Sequence, residues 1–481
     1  MKPKLTINFL TLITIRLLLS LSIVLSNSIF AETISERKLR IQQEFEKRKN
    51  TQQQYLDQKK QKFSDYLAKH WHKFEAFKAD KMPLKPKPIK QPVYKKPQEK
   101  ILPQRIIKPK PKPIIKVPQN NLKVNFYGEI IDFGPKNDYQ NLIKNLPSSL
   151  PVNKATISKY GDIDEQLLEP IVGRLTLYYK RLKLDDWGRW LLIKKFTKSI
   201  LANNVSQQAL LQWKLLMSIG FDARIAIVNN DYSLLFPIVE QVYRLSFIKI
   251  NGTRYYLLLP NKRKVGPTSI HTYDKDIFKG KKFSSFQPSK VIWPNNKSYI
   301  NARELTFANN DMLAVKYDSR QIKLLNDYPS FNFSFYFNSD IHPTTKASLR
   351  DYFSNKLKGK TTLEKSQYLL DLIQKYFPYK TDKEQFGKER YLFVDETIHY
   401  QFSDCEDRSF LYGWLVKYFA DVDYIGIMYP NHLATAIAIR KNGDSVYHQN
   451  RKYIVADPTF IGAPIGKAMT KSKPKIVFSS R

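Results

Sequence analysis

The sequence predicts an α+β fold, and three observations carry that expectation. Stretches with apolar residues at helical spacing, such as 164–182 and 186–201, alternate with short β-branched and aromatic runs such as Arg224–Val228. Asn251-Gly252, between Leu245–Ile250 and Tyr255–Leu259, is the turn signal of a hairpin. Hydrophobic residues make up 42% of the 481, with 29 Phe and 29 Tyr, enough for packed cores in two or three domains.

The first segment reads as a leader. Met1-Lys2-Pro3-Lys4 supplies positive charge, Leu17–Leu25 is apolar, and Ser28-Ile29-Phe30-Ala31 offers small-residue cleavage, the order of a signal peptide over 1–31. Arg16 interrupts the apolar run and argues against an uncleaved anchor, whereas Ile29 is large for its place. The expectation is export, to the periplasm or the medium, with association to the envelope as an option. No Cys follows the leader, so no lipid-attachment site of the bacterial lipoprotein kind is expected.

Residues 32–80 read as a long charged amphipathic helix or a helical hairpin. No Gly or Pro falls in 35–78, and Ile41, Phe45, Tyr55, Phe63, Tyr66, Leu67, Trp71 and Phe74 form a narrow apolar stripe. The stripe is a seam for self-association in coiled-coil fashion, or a face for a membrane surface. His70 and His72 stand two apart, face different ways on a helix, and read as surface residues, not a metal pair. Residues 81–120 hold ten prolines and one acid, Glu99, and read as an extended basic linker. It either docks on an anionic polymer, reaches across an envelope layer, or is plain solvated chain.

The net charge of +37 favours an anionic partner. Export narrows this to an envelope polymer or a membrane surface and removes nucleic acid. Folded sequence resumes over 121–269. Residues 270–345 read as a β-rich connection, where Phe331, Phe333, Phe335 and Phe337 alternate with Asn332, Ser334, Tyr336 and Asn338 as in a strand with one buried face. Residues 346–481 form the last domain. Its helix around Tyr368–Phe377 matches Trp190–Phe196, Gly413–Val416 matches Gln212–Leu215, and His432–Ile439 matches Arg244–Ile250, so a diverged internal repeat is expected.

Cys405 is the one cysteine in the chain, which excludes an intramolecular disulfide and a zinc thiolate cluster. Ser403 with Glu406, or Asp404 with Asp407, would form a capping box ahead of Phe410, Leu411, Trp414 and Leu415, so a helix should start at or beside Cys405. A thiol at a helix N-terminus meets unpaired N–H groups that favour the thiolate. The flanking carboxylates oppose this, so a histidine is required. His432 leads into a strand, Lys441–Asp444 is a turn, and the next strand, Lys452–Ala456, ends at Asp457. An antiparallel pair would set His432 beside Asp457 and leave His432 to take the proton of Cys405. His399 and His448 read as ordinary polar residues. No phosphate-binding glycine loop or metal-ligand spacing is present, so no cofactor and no metal are expected.

Asp404–Ser409, Asn431–Ala436 and Tyr453–Thr459 resemble the three core motifs of the transglutaminase-like superfamily. The resemblance covers 360–465 and implies a papain-like α+β core at the C-terminus. It implies Cys405 as nucleophile, His432 as general base and then acid, and Asp457 as the orienting carboxylate. The oxyanion donor does not transfer with the motifs, and Gln385 and Gln401 are the upstream candidates. The substrate would be a protein or peptide amide, transferred through a Cys405 thioester to water (protease or amidase, the favoured outcome) or to an amine (cross-linking). By the same resemblance 121–269 would be a degenerate, inactive copy, with Asn204, Arg244 and Leu259 at the places of Cys405, His432 and Asp457. The rival reading is a non-catalytic envelope scaffold built on such folds.

Overall fold

The computed structural model describes residues 39, 42–43, 46, 63–82, 91–95, 105–108, 120–148, 151–258, 269–275, 280–306, 311–430 and 432–480. The leader, most of the charged stretch after it, and Leu259 lie outside these residues. The chain falls into two units, Met1–Tyr66 and Leu67–Arg481, and every strand and labelled helix below belongs to the second. Among the described residues no helix is long and apolar enough to cross a membrane.

The basic N-terminal stretch departs from the expected helix and linker. Residues 63–70 are helical, but Trp71–Glu75 is strand β1. A sheet edge with open N–H and C=O groups outweighs local helix propensity there. Within 81–120, Tyr94 N donates to Ile461 O (2.8 Å) and Ile461 N donates to Pro92 O (2.9 Å). Arg105–Ile107 forms strand β2. The Pro and Lys clusters are thus interrupted by short pieces that pair with the folded body.

A hairpin of β3 (Asn121–Phe126) and β4 (Glu129–Pro135) opens the larger body. Helices α1 (Asn137–Asn145), α2 (Lys154–Gly161), α3 (Glu165–Arg181), α4 (Asp186–Leu201) and α5 (Val205–Ser218) follow. The Asp185 side chain accepts from Gly188 N to cap α4, and Asn204 accepts from Gln207 N to cap α5. Next come β5 (Arg224–Val228), β6 (Asp231–Pro237), β7 (Val242–Tyr243), β8 (Phe247–Ile250), β9 (Thr253–Leu258) and β10 (Ser269–Tyr273). The hairpin predicted at Asn251-Gly252 is β8–β9, and both turn residues have positive φ, 48° and 78°. The first sheet runs β1-β10-β5-β6-β9-β8, each pair antiparallel.

The connection that follows is mixed. Strands β11 (Ile300–Thr306) and β12 (Met312–Asp318) pair, with β2 on the other side of β11. Helix α6 (Ser319–Leu325) and the short β13 (Ser330–Phe331) come next. The alternating phenylalanines are not a strand: Phe333–Asn338 is helix α7, capped by Asn332 accepting from Phe335 N. The residues α7 buries are Phe333, Tyr336 and Phe337, spaced three and four apart. With aromatics at nearly every position, period two and period 3.6 both find a greasy face, and the asparagine cap decides.

The last part of the chain holds α8 (Pro343–Lys356), α9 (Thr362–Tyr376), α10 (Asp382–Phe386), α11 (Val394–His399) and α12 (Cys405–Ala420). Its sheet comprises β14 (Tyr424–Tyr429), β15 (His432–Ile437), β16 (Ser445–His448), β17 (Arg451–Ala456) and β18 (Lys475–Ser479), in order β16-β17-β15-β14-β18. Strand β16 is an addition to the expected pair, inserted between the Lys441–Asp444 turn and β17. Numbered in sequence, β5, β6, β8, β9 and β10 lie fifth-first-second-fourth-third, and β14–β18 lie in the same order, all antiparallel. Two packed helices precede each set, α4 with α5 and α9 with α12. The order corrects one residue match: Arg244 precedes β8, an outer strand, so the place of His432 at the start of a second strand falls to Asp231. The apolar run after Arg244 had matched the wrong strand. Asn204 caps α5 as Asp404 caps α12, which sets Val205 opposite Cys405.

Candidate active site

Helix α12 packs on β15, and β15 pairs with β17. Asp404 is extended (φ −105°, ψ −161°) and α12 begins at Cys405. Asp407 Oδ2 accepts from Asp404 N at 3.4 Å, the return half of the predicted capping box, and its Oδ1 accepts from Leu392 N at 2.9 Å. The Ser409 hydroxyl lies 2.7 Å from the Cys405 carbonyl and 3.2 Å from that of Leu433, so the first turn of α12 sits against the start of β15. Close approach continues along the helix: a Cβ on Gly413 would stand 2.4 Å from the Tyr424 ring of β14.

Strand register does the rest. Thr435 pairs with Ala456, so Asp457, one residue past β17, falls across from Ala434 and shares a face with His432. His432 Nε2 is 2.6 Å from Asp457 Oδ2. The other oxygen of Asp457 accepts from Thr459 N (2.9 Å) and Phe460 N (3.2 Å). Gln374 of α9, buried, donates to the carbonyls of Asp457 (2.9 Å) and Ala463 (3.1 Å) and accepts from Gly462 N (2.9 Å). His432 Nδ1 is buried with no hydrogen-bond partner among the described residues. With Asp457 accepting at Nε2, the proton sits there and the Nδ1 lone pair is left as a base. Cys405, His432 and Asp457 are 1%, 0% and 1% exposed. The Cys405 thiol donates to Glu406 Oε2 at 3.2 Å.

The wall opposite α12 comes from the long connection after α9. Tyr379 bridges Ser403 in parallel, Ser403 N donates to Pro378 O (3.1 Å), and buried Arg408 donates to Phe377 O and, at 3.3 Å, to Ser403 Oγ. Burial lowers Arg408 to about 10, against the negative groups around it. Burial and then the charges of Cys405, Asp404 and Glu406 raise the Tyr379 phenol, so it stays protonated and able to donate. Asp382, Asp404 and Glu406, all buried, bring one oxygen each within 4.8 Å of the others, a donor set suited to a hard cation. Glu396, bonded to Arg390, is raised to about 7 by burial, and His399 is lowered to about 4, chiefly by burial.

The predicted oxyanion candidates are placed less favourably. Gln401 is exposed, and its carbonyl accepts from Arg303 (3.3 Å). Gln385 is half-buried on α10. Tyr379 and Gln374 were not singled out from sequence, because each reaches the site through pairing remote in the chain. His448 lies at the β16–β17 turn, and His399 on α11. Comparison with protein-family models, curated proteins and solved structures finds no match to this chain.

Proposed function

We propose that 346–481 is a transglutaminase-like thiol-enzyme domain that opens amide bonds through a Cys405 thioester, with water as the favoured acceptor. The observation that carries the reading is the 2.6 Å bond between His432 Nε2 and Asp457 Oδ2, which leaves Nδ1 as a buried base in the domain whose α12 starts at Cys405. In the proposed cycle His432 Nδ1 takes the thiol proton, and the sulfur attacks the amide carbonyl. Negative charge on the carbonyl oxygen is met by N–H groups of the first turn of α12 and by the Tyr379 hydroxyl. The C–N bond breaks as His432 returns the proton to the leaving amine. Water, deprotonated at the same nitrogen, then hydrolyses the thioester and restores Cys405.

The shared strand order supports reading 121–269 as a copy that lacks these groups. Export rests on the leader-like 1–31, and self-association on the stripe in 35–78. An anionic envelope partner is supported by the charge and by a groove of about 700 Å³ lined by Arg440, Lys441, Arg451 and Lys452. The near-complete burial of Cys405 favours the second reading, a scaffold without turnover. Alkylation decides between them, with iodoacetamide and with the smaller methyl methanethiosulfonate, in the parent and in His432→Ala. The enzyme reading expects reaction well below the ordinary thiol value of about 8.5, lost in the variant. A thiol inert to both reagents until unfolding would support the scaffold.

A further inference from the structure

The first sheet carries a second cluster of metal-ligating side chains, unconnected with the thiol. Strand β1 pairs antiparallel with β10, Trp71 opposite Tyr273 and His72 opposite Thr272. Continuing that register sets His70 across from Asp274, and Asp274 N donates to His70 O at 3.2 Å. His70 ends the helix and His72 lies in β1, and the helix-to-strand change at Trp71 brings both imidazoles to Asp274, contrary to the helical expectation. Asp274 answers both: Oδ1 is 3.2 Å from His70 Nδ1 and Oδ2 is 3.4 Å from His72 Nε2. One donor atom from each residue lies within 4.8 Å of the others.

We propose that His70, His72 and Asp274 bind a divalent ion of the zinc class and thereby clamp β1 onto β10. Two imidazoles and a carboxylate are the donors such an ion takes, and they leave a fourth position to water. Bonds of about 2.0–2.1 Å to a tetrahedral ion put neighbouring donors about 3.3 Å apart; each imidazole already stands 3.2 or 3.4 Å from its own oxygen of Asp274, so small side-chain rotations would bring both to a single carboxylate donor. The site is open to solvent, with His72 and Asp274 side chains 50% and 34% exposed. The strand it would fasten is at the sheet edge, where pairing on one side alone holds it.

The test is zinc chloride titrated calorimetrically into the untagged full chain carrying Cys405→Ala, which removes the one thiolate. One equivalent should bind with a dissociation constant of about micromolar or tighter, and cobalt(II) should give a tetrahedral visible spectrum. His72→Ala and Asp274→Asn should each weaken binding by at least about tenfold. Both side chains are partly exposed, and unchanged circular dichroism would show that the variants fold. Zinc should also slow amide exchange in β1 of the parent and not of the variants. Absence of saturable zinc binding, or binding that persists undiminished in both variants, as it would at Asp382, Asp404 and Glu406, overturns the proposal.

Discussion

The two five-strand sets share an order and differ in what joins their helices. In the first, α4 ends at Leu201 and α5 starts at Val205, so 202–204 is the whole connection. In the second, α9 ends at Tyr376 and α12 starts at Cys405, and 377–404 carries α10 and α11. That longer connection brings Tyr379, Asp382 and Arg408's partners to the N-terminus of α12. At matched places the first set has Val205 and half-buried Asp231, where the second has Cys405 and fully buried His432. The frame is a packing solution that needs none of these polar groups. Burying them is costly unless each is paired. The Asp457 carboxylate has three hydrogen bonds, with His432 and with the N–H groups of Thr459 and Phe460, so in the second set the pairing comes from β15 and the turn after β17.

Substitutions at matched positions sharpen that contrast. Cys405→Ala should lower kcat/KM on a cleaved peptide amide by about 10⁴-fold or more, while Val205→Ala leaves it unchanged. Equal losses in both would mean that the first set takes part in chemistry. Asp457→Asn should cost on the order of 10²–10⁴-fold, because the amide can present N–H to His432 and favour the wrong tautomer. Asp231→Asn, at the place matched to His432, is expected to cause no change. The readout is the alkylation rate against pH for each variant, and a profile indifferent to Asp457 would remove it from the site. Gly413→Ala should lower stability by about 1–3 kcal/mol, since the new Cβ meets the Tyr424 ring. Amide exchange should quicken in β14 and not in β5; equal effects would show the two sheets unfolding together.

Much of the site was legible because it is local or needs a single strand pairing. The acids around Cys405 announced a helix start, and His432 and Asp457 flank strands that pair. Helices α3 and α4 and the Asn251-Gly252 hairpin were legible for the same reason. Strand β1 was not, since its conformation is set by the edge of β10, nearly two hundred residues on. Tyr379 was not, since Ser403 positions it through a bridge. Alternating aromatics misled at Phe333–Asn338, where burial at i, i+3 and i+4 prevailed. The likeness between the two strand sets was hinted at in helices α4 and α9, but their strands could not be matched without the sheet order, which a weak apolar pattern does not encode.

The smallest effect tests the inserted connection itself. His399 of α11 packs edge-on against Tyr317 and is lowered from its ordinary 6.5 to about 4, by burial first and then by Arg303, Lys108 and Arg390. Between those values the unfolded chain takes a proton that the folded chain refuses. Stability from this group therefore falls as pH drops from 6.5 to about 4 and is unaffected above 6.5. The limit is about 3 kcal/mol, and residual solvent contact reduces it to about 2 kcal/mol. Glu396 has the opposite sign: raised by burial from 4.5 to about 7, it binds a proton more readily when folded, and stability rises as pH falls through that window. The two offset each other in the second set. In the first, Asp185, raised from 3.8 to about 6 by burial, acts with the sign of Glu396. His399→Asn should then leave Glu396 unopposed: relative to the parent, and after subtracting the pH-independent cost of lost packing measured at pH 8, the variant should gain about 2 kcal/mol by pH 4.5. Urea unfolding at pH 8, 6 and 4.5 measures this. A difference between parent and variant that stays constant across those values would mean that the imidazole takes its proton equally in both states.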